Sequence, residues 1–247
     1  MTIPSDLHGD AWPVPAEHAL LRLALPVAGV IAALLAIAAA PWALNAPWLS
    51  FAFKPTATLA IIVWALARPG DGSGVKLWIV AGLVASLAGD IALLWPQRGF
   101  LVGLLSFLLG HLAYLVAFTR PTRFFTMPAA FVAYALVAGT ILARLWGGVP
   151  ADLHVPVVVY VLALAAMAAQ AASVAWRYRG EAEAMRWRIG AIGGALFVAS
   201  DATLATDRFT GGVPYSAFWV LATYWAAQWC IASAAGGPGA RGHVAAR

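Results

Sequence analysis

The sequence predicts an all-α fold, a polytopic transmembrane bundle of about eight helices with both termini cytoplasmic. Three observations carry that prediction. Of the 247 residues, 63% are hydrophobic and 10% charged, against roughly half apolar and about a quarter charged in a soluble globular domain. Apolar stretches of about 20 residues, the length that crosses the hydrocarbon core, follow one another with short polar joints. Lys and Arg gather in alternate joints, as expected when cytoplasmic loops retain positive charge during insertion.

Each element is an apolar run bounded by charges or by Pro/Gly clusters. Residues 1–19 hold Asp6, Asp10 and Glu17, lack the basic start of a secretory signal and read as a short, loosely ordered tail. The first run lies near 20–40. The second, near 48–67, stops at Arg68-Pro69-Gly70, and the third, near 75–95, stops at Pro96. The fourth, near 99–118, runs up to Arg120-Pro121, and the fifth, near 124–146, ends at Gly147-Gly148. The sixth, near 154–176, is closed by Arg177. The seventh, near 187–206, meets Asp207-Arg208, and the last, near 214–235, ends at Gly236-Gly237 before a tail at 236–247. The whole of 20–235 reads as one transmembrane domain with no room for a soluble one and no strong internal repeat.

The joints on the amino-terminal side collect Arg22, Arg68, Lys76, Arg120, Arg123, Arg177, Arg179, Arg186, Arg188, Arg241 and Arg247. The opposite side has Arg98, Arg144 and Arg208. The formal charge of +5 therefore reflects topology and anionic headgroups rather than nucleic acid. Cys230 lies inside an apolar run and, as the sole cysteine, forms no internal disulfide.

Ionisable groups inside the spans carry the functional information, because a charge at the bilayer centre costs about 2.5–3.5 kcal/mol on insertion scales. Lys54 lies early in the second run, Asp90 late in the third and Asp201 late in the seventh. Counted from these run ends, each sits roughly 8–9 Å below the same, non-cytoplasmic surface, so the three can meet in one layer. His111 and Tyr114, spaced i, i+3, share a face of the fourth run with Phe107 and Gly103; Tyr224 and Gln228, spaced i, i+4, share a face of the eighth. Together they outline a polar pocket open to the non-cytoplasmic leaflet and shaped for a single amphiphile. The competing structural readings are Lys54 snorkelling past Pro55, a buried ion pair between Lys54 and one aspartate, a satisfied core histidine, and Tyr224 and Gln228 as interhelical glue. Asp207 and Arg208 read as a solvated interfacial pair.

Two carboxylates brought close in a low-dielectric site do not both ionise readily, so one proton is shared and the pair supplies an acid and a base. No Gly-rich phosphate loop, HExxH or Cys/His zinc spacing is present, and Ser200 lacks a G-x-S-x-G setting. No metal or cofactor is expected, a metal-dependent lipid hydrolase being the secondary reading.

Four ordered segments carry a resemblance: Phe53-Lys54-Pro55-Thr56, then Ser86 to Asp90, then Phe107 to Tyr114 with Gly110-His111, and Ala199-Ser200-Asp201 followed by Tyr224 to Gln228. In order and spacing they resemble the lysoplasmalogenase-like YhhN membrane proteins, from the second helix onward. The resemblance implies eight helices and hydrolysis of the vinyl ether bond of a lysophospholipid, releasing a fatty aldehyde and glycerophosphocholine or glycerophosphoethanolamine. It makes Asp90 and Asp201 the expected catalytic pair, with Lys54, His111, Tyr114, Tyr224 and Gln228 binding substrate or supporting the pair. The alternative is a transporter or channel using intramembrane Asp, Lys and His; repeated halves and a broken helix pair are absent from the sequence. No protein partner is inferable. The arginine-rich loops and the absence of a cleavable signal suit a multi-pass protein of a bacterial inner membrane.

Overall fold

The structure is a computed structural model that describes residues 16–70, 72–95 and 97–237, with side chains described from residue 24. Among these are eight α-helices: α1 (Ala16–Ala38), α2 (Pro47–Ala67), α3 (Val75–Ala92), α4 (Phe100–Thr119), α5 (Pro128–Leu145), α6 (His154–Arg177), α7 (Ala184–Thr210) and α8 (Ser216–Ser233). Two short 3-10 turns, Trp146–Gly148 and Ala151–Leu153, join α5 to α6. Six of the helices, α2 to α7, with the 3-10 turns appended to α5 and α6, are long and apolar enough to cross a membrane. The protein is an integral, multi-pass membrane protein.

The helix ends depart from the expected runs where local chemistry decides them. Helix α1 begins at Ala16, within the stretch expected to be tail; the rest of that tail, and the C-terminal one from 238, lie outside the described residues. Helix α5 begins at Pro128 rather than near 124, because proline suits the first turn, where its missing N–H costs nothing. Helix α3 stops at Ala92 and α7 continues to Thr210, so Asp90 lies two residues from its helix end while Asp201 lies nine residues, about 13 Å, from its own. Lys54, Asp90 and Asp201 all line one cavity.

Seven helices form a ring in the order α1, α2, α3, α4, α6, α7, α8, closed by α8 on α1 and α2; α5 lies outside it, packed chiefly on α6 and lightly on α7. With lipid in place of water, close approach of backbones rather than hydrophobic burial drives such packing. The α3–α4 contact shows this at two glycines. A Cβ on Gly82 would fall 2.3 Å from the Tyr114 ring, and one on Gly89 would fall 2.7 Å from the Phe107 ring. Both aromatic side chains are buried and project into the site, so these glycines set where the site's floor stands. Gly82→Leu is expected to destabilise the protein by about 1–3 kcal/mol or prevent folding, read as a lowered unfolding temperature in detergent; an unchanged temperature would contradict this packing.

At the opposite end of the bundle, polar groups complete the loops. The buried Gln170 amide donates to the carbonyls of Phe118 (3.2 Å) and Arg123 (3.1 Å) and accepts from the N–H of Phe125 (3.2 Å), anchoring the α4–α5 joint. Lys76 Nζ donates to the carbonyls of Leu66 and Arg68, each at 2.6 Å, satisfying the end of α2.

Candidate active site

A cavity of about 480 Å³ opens at the end of the bundle that carries the α1–α2, α3–α4 and α7–α8 joints. Its walls come from α2 (Lys54), α3 (Asp90), α4 (Phe107), α7 (Asp201) and α8 (Tyr224). The ring thus brings together Lys54, Asp90, Asp201 and Tyr224. Tyr114 and Gln228 lie in a deeper layer, fully buried, with the Tyr114 hydroxyl donating to Gln228 Oε1 at 2.6 Å. They support the floor and do not line the cavity.

Asp90 is almost wholly buried and receives donors on every side. Lys54 Nζ lies 3.6 Å from Oδ1. The Thr58 hydroxyl donates to Oδ2 at 2.6 Å and the Tyr224 hydroxyl at 2.8 Å. Trp225 Nε1 donates in turn to Thr58 at 3.2 Å, orienting that hydroxyl toward the carboxylate. A carboxyl group surrounded only by donors is matched to its ionised, acceptor-only form.

Asp201 has a different setting. Its side chain retains 14% exposure against 1% for Asp90, so it is the more exposed of the two carboxyl groups that line the cavity. The Tyr160 hydroxyl donates to its Oδ2 at 2.5 Å, and His111 Nε2 lies 3.3 Å from the same oxygen and 3.0 Å from the Tyr160 hydroxyl. His111 is fully buried and its Nδ1 has no partner in the structure. Nε2 is the ring nitrogen that faces the Tyr160 hydroxyl and Asp201. The resulting relay runs from His111 through Tyr160 to Asp201. Oδ1 of Asp201 has no hydrogen bond among the described residues, which leaves it to a bound molecule.

Among the described residues the two carboxylates are held by separate partners: Lys54, Thr58 and Tyr224 on Asp90, Tyr160 and His111 on Asp201. The Phe197 ring stands edge-on to His111 (4.6 Å between centroids), a partner of Asp201, and to Tyr224 (5.5 Å), a partner of Asp90. Asp207 and Arg208 do not pair. Asp207 accepts from the N–H of Val213 at 3.2 Å, and the Arg208 guanidinium lies 4.8 Å over the Phe100 ring at the cavity mouth.

Thr58 and Tyr160 are site residues that the sequence reading does not single out. Thr58 has a visible signal, since it follows Lys54 by four residues and so shares its helix face. Tyr160 has a weaker one, as the single hydroxyl in the first half of the apolar α6 run. Among the described residues no cluster of three or more His, Cys, Asp or Glu side chains is placed to hold a metal ion.

Fold and site together define a multi-pass membrane protein that holds two differently supported carboxyl groups around one amphiphile-sized cavity within the span of its helices. The chain belongs to the YhhN family, whose profile matches residues 49–235. It is 32% identical over 200 residues to lysoplasmalogenase TMEM86B of Mus musculus, which covers 79% of this chain and 80% of that protein. The human lysoplasmalogenase TMEM86B is 30% identical over 177 residues, 72% of this chain and 70% of that protein. Lysoplasmalogenase TMEM86A of Bos taurus is 34% identical over 165 residues, 64% of each chain. No solved structure matches the chain significantly.

Proposed function

We propose that this protein is a lysoplasmalogenase: a membrane-embedded hydrolase that cleaves the vinyl ether bond of a lysophospholipid to a fatty aldehyde and glycerophosphocholine or glycerophosphoethanolamine. The observation that carries the reading is the pair of unlike carboxyl groups on one cavity, one ringed by donors and one with an open oxygen. The relationship to enzymes named lysoplasmalogenases supports it. In the proposed orientation both termini and the basic joints face the cytoplasm, and the cavity opens to the other leaflet of a bacterial inner membrane.

The chemistry follows from what a vinyl ether needs. Asp201, protonated and steadied by Tyr160, donates its proton to the alkenyl carbon two bonds from the ether oxygen, and the carbon bonded to that oxygen becomes an oxocarbenium centre. The ionised Asp90, with Lys54 holding it in place, lowers the energy of that cation across the cavity. Water adds to the cationic carbon and returns a proton to Asp201, forming a hemiacetal. The hemiacetal C–O bond to glycerol then breaks, its hydroxyl proton passes to the departing oxygen, and aldehyde and glycerophospho-alcohol leave. No external oxidant or reductant is required, and Asp201 ends in its starting state.

The test is aldehyde release by the purified, detergent-solubilised protein from a lysoplasmalogen, with an ester lysophospholipid of the same chain and headgroup in parallel. Aldehyde from the vinyl ether lipid is the expected result. No aldehyde from protein shown to be folded would refute the assignment.

A further inference from the structure

Beside the polar cavity lies a second one that the polar chemistry leaves unused. It has a volume of about 100 Å³ and is bounded by α4, α5, α6 and α7. Tyr134, Tyr160 and Asp201 are its only polar lining residues. The two cavities share a wall made of Leu93, Phe100, Phe107, Asp201 and Leu204. Asp201 is the one ionisable side chain in that wall, so a molecule filling both spaces passes directly against it.

Helix α5 contributes Tyr134, Ala138, Ile141, Leu142 and Leu145, spaced as one helical stripe. The ring closes without this helix, and of its residues only Ala130 and Leu145 are buried. A helix so placed forms the outer wall of the cavity. Along α7 the lining extends from Val198 to Phe209, about 16 Å at 1.5 Å per residue, long and narrow rather than round. An almost wholly apolar space of that length with one carboxyl group in its wall matches a hydrocarbon chain attached to a polar head.

We propose that this cavity is the chain subsite of the lysolipid, entered from the bilayer beside α5. The headgroup and glycerol then occupy the polar cavity, and the alkenyl bond crosses the shared wall at Asp201. This placement rests on the vinyl ether reading above and adds where the hydrocarbon chain is held, between α5 and the ring.

Two measurements test it. In the first, Ala138→Phe narrows the cavity at a half-buried position on α5, and kcat/KM is compared between a hexadecenyl lysoplasmalogen and its butenyl counterpart. The long-to-short ratio is expected to fall about tenfold, mainly through KM, because contacts to methylene groups are lost. An unchanged ratio in active, folded protein overturns the chain subsite and leaves the hydrolase assignment intact. The second needs no turnover: a non-cleavable ether lysolipid with a diazirine at the chain end is photolysed with the Asp201→Asn variant, and the adduct is mapped by mass spectrometry. Labelling of the Tyr134, Ala138 and Ile141 stripe supports the subsite even if no aldehyde is ever seen. Labelling confined to outward residues such as Val132 and Leu136, which are exposed, overturns it.

Discussion

Asp201→Asn is expected to lower aldehyde release by about a hundred- to ten-thousand-fold, the usual worth of a positioned general acid, while the protein still purifies as a folded bundle. The amide keeps the shape of the side chain and can still accept the Tyr160 hydroxyl that now reaches Oδ2 at 2.5 Å. What it lacks is a proton to give to carbon. Steady-state rates on a lysoplasmalogen, with the unfolding temperature measured on the same sample, separate lost chemistry from lost structure. A rate within a few-fold of wild type would remove Asp201 from the mechanism and the shared cavity wall from the site.

Asp90→Ala has its largest effect on stability. The change leaves three donors, Lys54, Thr58 and Tyr224, around an empty position. Breaking a fully buried ion pair by removing one partner costs about 3–5 kcal/mol. Lys54 keeps 13% of its side chain exposed and can relax toward the mouth, so the expected loss is nearer about 2–3 kcal/mol. Lys54→Met combined with Asp90→Leu removes both charges and is expected to recover most of that stability with no return of activity. The unfolding temperatures of the single and double variants in one detergent decide the matter. If the double variant is less stable than Asp90→Ala, the pair is not the source of the cost; if it regains hydrolysis, the carboxylate is not needed for the cation.

The sequence by itself determined the membrane class, the number of helices and the ionisable groups within the spans, Lys54, Asp90, His111 and Asp201. The reason is energetic and local: a span needs about 20 apolar residues, and a Lys or Asp inside one is costly enough to demand a role. Hydroxyl groups carry a weaker signature, such as the four-residue spacing of Thr58 from Lys54. Thr56 and Thr58 lie on the same helix, yet Thr56 bonds back to the carbonyl of Ala52 while Thr58 crosses to Asp90 on α3. Threonines at 140, 203, 206 and 223 likewise close on their own helices, so only packing distinguishes the one that serves the site. Tyr160 reaches Asp201 because α6 packs on α7, and His111 joins them because α4 packs on α6 rather than on α5. That ordering also displaced α5 from the ring and opened the apolar cavity. Close approach of helices supports it, at Gly82 and Gly89 between α3 and α4 and at Gly194, whose added Cβ would fall 3.1 Å from Ala168 Cα, between α7 and α6, and such complementarity between distant segments exists only once the helices meet.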